Sequence, residues 1–166
     1  MLHVTALQDT IVALSGTPVA KPTFDFTAGG AFNPFTVYAE FLALSQGFED
    51  TGVRAYKGQA RNLISNNDVL TAALQIHSVE ARHASQVRRL RAKLGLDPAN
   101  KGWITGNSRG TMPSATQAIY NGEDNVMQGG LDVTTITTVS SSAIQEAFDE
   151  ILTDTETLAI AGLFIV

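Results

Sequence analysis

The chain has 166 residues, 44% of them apolar and 16% charged, with a formal net charge of −5 and no cysteine. That is enough for one core plus appendages, and it leaves no basic face for nucleic acid or anionic lipid. Disulfides, thiolate metal sites, iron–sulfur clusters and cysteine nucleophiles are excluded, and no apolar run approaches the roughly 20 residues of a membrane span.

In chain order, residues 2–14 carry helical spacing at Leu7, Ile11 and Leu14 and stop at Gly16, with Pro18 just beyond. From Thr17 to Gly30 the prolines, the glycines and the stretch PTFDF predict an extended connection packed by Phe24 and Phe26. Asn33 followed by Pro34 predicts a cap and first helical position, opening a helix that runs to about Ile64. Its interior glycines, Gly47, Gly52 and Gly58, each cost about 0.5–1 kcal/mol relative to alanine, which points to a close helix approach or room for something else. Asn66, Asn67 and Asp68 predict a turn and a cap. A second long helix follows from Val69 to Leu94, ended by Gly95 and Pro98. So short a loop makes the two helices antiparallel. The closing run RRLRAK, Arg88 to Lys93, reads as a solvated helix end that suits the macrodipole.

Beyond Gly95, residues 96–140 are rich in Gly, Thr, Ser and Asn and hold no period. They predict a long surface excursion anchored by Trp103 and Tyr120. A short helix in SSAIQEAFDEIL follows, capped by Ser141 or Ser142. The expected fold class is all-α, with a helical unit over 1–95 and an irregular C-terminal extension over 96–166 packed on it.

The polar residues on the helical seams carry the functional signal. Val69, Ala73, Ile76, Glu80, His83, Val87, Leu90 and Leu94 follow one another at spacings of three and four, so Glu80 and His83 sit in the middle of an inward stripe. The first long helix offers Tyr38, Leu42, Ser45, Glu49, Gly52, Tyr56 and Leu63, which turns Glu49 inward as well, with a phenol two turns later. A buried carboxylate must be protonated, paired or bound to a cation. Arg54 and Arg82 lie off these stripes, while carboxylate oxygen and imidazole nitrogen together suit a hard or borderline divalent metal. The plainer readings are a hydrogen-bonded Glu80–His83 pair, a surface Glu49 if the phase is off by one toward Asp50, a packing Tyr56, an exposed His3, and a surface or supporting His77. GFEDTG and YNGEDN lack the alternating acids of a calcium loop, and no phosphate loop, dinucleotide fingerprint or Gly-x-Ser-x-Gly appears.

The segments FEDTGVRAYKGQA and ALQIHSVEARHASQVRRLR, with HVTALQDTIVALSGTPVAKPTFDF and the tail YNGEDN…EAFDEILT, resemble the ferritin-like domain proteins related to desiccation-associated proteins. Glu49 to Tyr56 is similar to the Glu-x6-Tyr of rubrerythrin-like third helices, and Glu80-x-x-His83 to the Glu-x-x-His of the fourth. The resemblance implies a four-helix bundle with a di-metal site of iron or manganese, in which Glu49, Glu80 and His83 are ligands, His3 is the histidine of the second helix, and Tyr56 and His77 lie around them. On that alignment the glutamate paired with His3 falls one position before Met1, and the first helix lies upstream. The expected architecture is thus an incomplete bundle. The start is placed late, or half the bundle is lost, or two copies dimerise through the bundle face to supply Glu49, Glu80 and His83 twice. A monomer is expected to leave Leu42, Ile76, Val87 and Leu90 uncovered.

Two functions remain open. One is a carboxylate-bridged iron or manganese protein acting in iron binding and oxidation or stress protection. The other is a non-catalytic structural or stress-related protein with a degenerate site, or with no metal at all. Enzymatic activity and compartment stay undetermined, with export depending on a leader upstream of the chain.

Overall fold

The computed structural model describes residues 2–166, apart from the side chain of Leu2; the expectation tied to Met1 lies outside the described residues. Helix α1 spans Leu2–Ala13, α2 Tyr38–Ala60 and α3 Asn67–Lys93, followed by the short α4, Ser141–Gln145, and α5, Asp154–Ala161. A two-residue ladder, β1 at Met127–Gln128 against β2 at Leu131–Asp132, is antiparallel. The protein is predominantly α-helical, and among the described residues no helix is long and apolar enough to cross a membrane.

Each boundary has a local cause. The Asn33–Pro34 pair opens a turn rather than the helix: the Asn33 carbonyl accepts from the Thr36 and Val37 amides at 3.1 and 2.8 Å, and Val37 is still extended before α2 begins. Glu40, in the first turn of α2, reaches back to accept from the Asn33 amide. At α3 the Asn66 side chain accepts from the Val69 amide at 3.2 Å, relieving one of the unpaired donors of a helix start. Gly95, at φ +70°, closes that helix in the left-handed region, where a side chain is costly. Ser140, one position before the expected caps, holds the start of α4, and α5 opens on a reciprocal box between Thr153 and Glu156.

The core lies between α2 and the extension. Ala43 of α2 packs with Ile104, Met112, Ile119, Tyr120, Leu152 and Ile160, and Leu44 packs with Phe32 and Phe164. The C-terminal strand-like end pairs with the connection before α2, where Phe24 and Ile165 form an antiparallel bridge and the Asp25 amide donates to the Phe164 carbonyl at 2.9 Å. Two of the interior glycines make room for this cover: a Cβ at Gly58 would stand 2.0 Å from the Leu152 carbonyl oxygen, and one at Gly47 3.0 Å from the Ile119 side chain.

Several expectations are corrected by this arrangement. Leu42 and Ile76 are buried and Val87 and Leu90 partly covered, whereas Leu7 and Ile11 of α1, and Leu14 just after it, are exposed. An open groove of about 570 Å³ separates α1 from the α2–α3 pair, walled by these three residues together with Tyr56, Leu63 and Ile76. The RRLRAK run is not a solvated end, because Arg88 and Arg91 are only 3% and 2% exposed. Trp103 stays half exposed, its indole N–H donating to Glu146 at 3.0 Å, whereas Tyr120 is fully buried.

Candidate metal centre

Glu80 and His83, three residues apart, project from the same face of α3, and Glu49 meets them from antiparallel α2. The His83 Nδ1 atom lies 3.3 Å from Glu49 Oε2 and 3.3 Å from Glu80 Oε2. One ligand atom from each of the three residues can be chosen so that all lie within 4.8 Å of one another. From α1, His3 Nδ1 approaches the other Glu80 oxygen at 3.4 Å. The cluster is half sheltered: Glu49 and Glu80 are partly buried and His83 opens to solvent.

Electrostatics make this an uncomfortable place for two anions. Burial, together with the hydrogen bond and charge of Glu80, pushes the Glu49 carboxyl up to about 7, and His83 opposes the shift. Two carboxylates that close cannot both ionise freely unless a cation joins them. Two carboxylate oxygens and an imidazole nitrogen are the donor set a hard or borderline divalent ion takes, so the residues present fit such an ion.

The flanking residues divide. Tyr56 is half buried on the groove wall, one turn beyond Gly52, where a Cβ would lie 3.4 Å from Glu80 Cγ, and burial and the charge of Glu80 raise its phenol. His77 turns elsewhere: its Nδ1 lies 3.0 Å from the Val53 carbonyl, an α3-to-α2 tie. Glu49 and Asp50 are both turned inward but toward different neighbours. Glu49 faces the cluster, while Asp50 is fully buried under the extension and paired with Arg88 at 2.5 Å.

A second polar system, unseen in the sequence, lies on that far side. The Tyr120 hydroxyl donates to Asp50 at 2.6 Å, and Gln46 donates to Tyr120 at 3.1 Å and accepts from Arg91 at 2.5 Å. Arg54 pairs with Glu123 at 2.7 Å and donates to carbonyls of the extension, those of Ile119, Asn121, Glu150 and Ile151. The mates of Asp50 and Arg54 include residues of an aperiodic segment, so no spacing rule could have brought them together.

A pair of antiparallel helices that presents two carboxylates and a histidine to one another defines an α-helical protein with a carboxylate–histidine cluster able to hold a metal ion. The sequence profile of the ferritin-like domain matches residues 1–93, and the chain belongs to that family. Neither the curated proteins nor the solved structures contain a match to the chain.

Proposed function

We propose that the protein binds iron or manganese between α2 and α3 through Glu49, Glu80 and His83, with His3 as a fourth donor. The observation that carries this reading is the convergence of the three ligand atoms within 4.8 Å on two helices of a ferritin-like domain. Iron or manganese so held supplies one-electron chemistry toward oxygen or peroxide. The chain's own part is to present the donors, keep Tyr56 beside Glu80, and shelter one side of the cluster with helix packing.

Three or four donors do not complete two six-coordinate ions. A second copy seated on the groove would double Glu49, Glu80 and His83 to four carboxylates and two histidines, with His3 adding two more, and it would cover α1, whose 12 residues carry Asp9 as their one carboxylate and no lysine or arginine. A helix apolar on most of its circumference is ordinarily buried.

The competing reading is a structural, stress-related protein with a degenerate site. It is favoured by His83, whose position 3.3 Å from both carboxylates also satisfies the trio as a hydrogen-bonded group. Metal analysis of the protein purified without chelator, followed by titration with iron(II) and manganese(II), separates the two. Stoichiometric metal that is lost in Glu49→Gln, Glu80→Gln and His83→Ala supports the proposal. Metal-free protein that takes up neither ion overturns it.

A further inference from the structure

Tyr120 belongs to the segment outside the family match, yet its hydroxyl reaches the two helices that carry the candidate donors. It accepts from Gln46 Nε2 at 3.1 Å and donates to Asp50 Oδ2 at 2.6 Å. Each of those α2 residues is the near end of a bridge to α3. Gln46 Oε1 accepts from Arg91 Nη1 at 2.5 Å, and Asp50 accepts from Arg88 Nε and Nη2 at 3.3 and 2.5 Å. The Arg88 guanidinium also lies 5.7 Å from the centroid of the Tyr120 ring. All five side chains are buried. One phenol oxygen therefore joins two cross-helix bridges a single turn apart on α2.

Register is what such a device controls. Asp50 adjoins Glu49 in the chain, and Arg88 lies on the same helix as His83, little more than a turn beyond it. Any axial slip of α2 along α3 breaks both bridges and carries Glu49 away from Glu80 and His83 by the same amount. On α3 the buried residue next to His83 on the way to Arg88 is Ala84, and opposite Glu80 on α2 stands Gly52; such small side chains make poor stops against sliding. Metal–ligand bonds tolerate displacements of only about 0.2 Å, so a slip too small to unfold the protein is large for the site.

We propose that Tyr120 is a positioning residue: the C-terminal extension, through the Tyr120 hydroxyl, locks the register of α2 against α3 and with it the spacing of Glu49 to Glu80 and His83. The effect on metal rests on the metal reading above, and the effect on register does not.

The test compares the full chain with Tyr120→Phe, which keeps the ring and its packing, and with Trp103→Phe, which trims a half-exposed ring of the same extension and removes its hydrogen bond to Glu146 while leaving both bridges their partners. Because the protein has no cysteine, nitroxides placed at Phe41→Cys on α2 and Gln86→Cys on α3, both exposed, report the inter-helix distance without background labelling. In metal-free protein the distance distribution should shift or broaden in Tyr120→Phe and match the parent in Trp103→Phe. Cobalt(II) titration of the same proteins should show affinity weakened about ten- to a hundredfold in Tyr120→Phe, with an altered visible spectrum. A distribution in Tyr120→Phe that superposes on the parent overturns the positioning role whatever cobalt does. A shifted distribution in a protein whose parent never binds cobalt upholds the register lock and sinks the metal reading alone.

Discussion

The Arg54 guanidinium on α2 stands 2.7 Å from the Glu123 carboxylate of the extension, and both side chains are withdrawn from water. Burying two charges is costly, and the pair persists because Arg54 also donates to carbonyls of the extension while the Glu150 amide donates to Glu123 at 2.9 Å. Replacing Arg54 by Met leaves a buried carboxylate without its mate and several carbonyls without a donor. The expected loss is about 3–5 kcal/mol of unfolding free energy, with proteolytic cleavage appearing first within residues 96–166. A denaturant midpoint equal to that of the parent would show that the Arg54–Glu123 pair does not hold the extension in place.

Burial pushes the Glu123 carboxyl up to about 7 against the opposing charge of Arg54, from an ordinary value of 4.5. A carboxyl raised on folding contributes stability that is complete below 4.5 and is lost as pH climbs through about 7. Glu123→Gln cannot ionise and escapes that loss. Its melting temperature relative to the parent should therefore rise from pH 5 to about pH 7 and level off above it. A constant difference across that range contradicts the assignment.

Gly58 and Gly52 should respond to alanine with opposite signs. At Gly58 the new methyl meets the Leu152 carbonyl oxygen at 2.0 Å, so the extension must move, at a cost of about 1–3 kcal/mol. At Gly52 the nearest atom is Glu80 Cγ at 3.4 Å, ordinary contact, and the helix gains up to about 1 kcal/mol in propensity. Thermal melts of the two single variants decide this, and a stabilised Gly58→Ala would show that the close approach to Leu152 is misplaced.

The groove between α1 and the helix pair supplies a prediction about assembly. If a second copy covers Leu7 and Ile11, light scattering should give about twice 17.6 kDa, and Leu7→Glu with Ile11→Lys should return the protein to 17.6 kDa. A parent that stays at the monomer mass at tens of micromolar removes the second copy from the proposal.

Removing an inward carboxylate gives a further check on the cluster. Burial and the neighbouring Glu80 hold Glu49 up near 7, so Glu80→Gln should lower the Glu49 titration toward 4.5 and leave the metal-free protein as stable as the parent or more so. Carbon-detected NMR of the glutamate carboxyls reads both values. An unmoved Glu49 titration would mean the two carboxylates do not sense one another.

Local periodicity and the short loop were enough to specify the bodies of α2 and α3, their antiparallel pairing and the convergence of Glu49, Glu80 and His83, because a helix's inward face is set by spacings of three and four whatever it packs against; the start of α2 was not, since Asn33–Pro34 caps a turn. The same logic revealed the Asn66 cap and the end of α3 at Gly95. The Thr153-x-x-Glu156 box that opens α5 was equally present in the residues, but an eight-residue helix is too short to show a period around it. What only the tertiary structure decided is which partners answer the charges off the seam. Arg88 and Arg91 follow helical spacing and would be solvated in an isolated helix. They are buried because Asp50 and Gln46 lie opposite them on α2 and Tyr120 arrives from a segment without periodicity. Ion pairs between residues dozens of positions apart leave no trace in local sequence, since neither partner's spacing depends on the other. For the same reason Asp50 and Arg54, one and five residues from Glu49, differ from it in role only once the extension folds over α2.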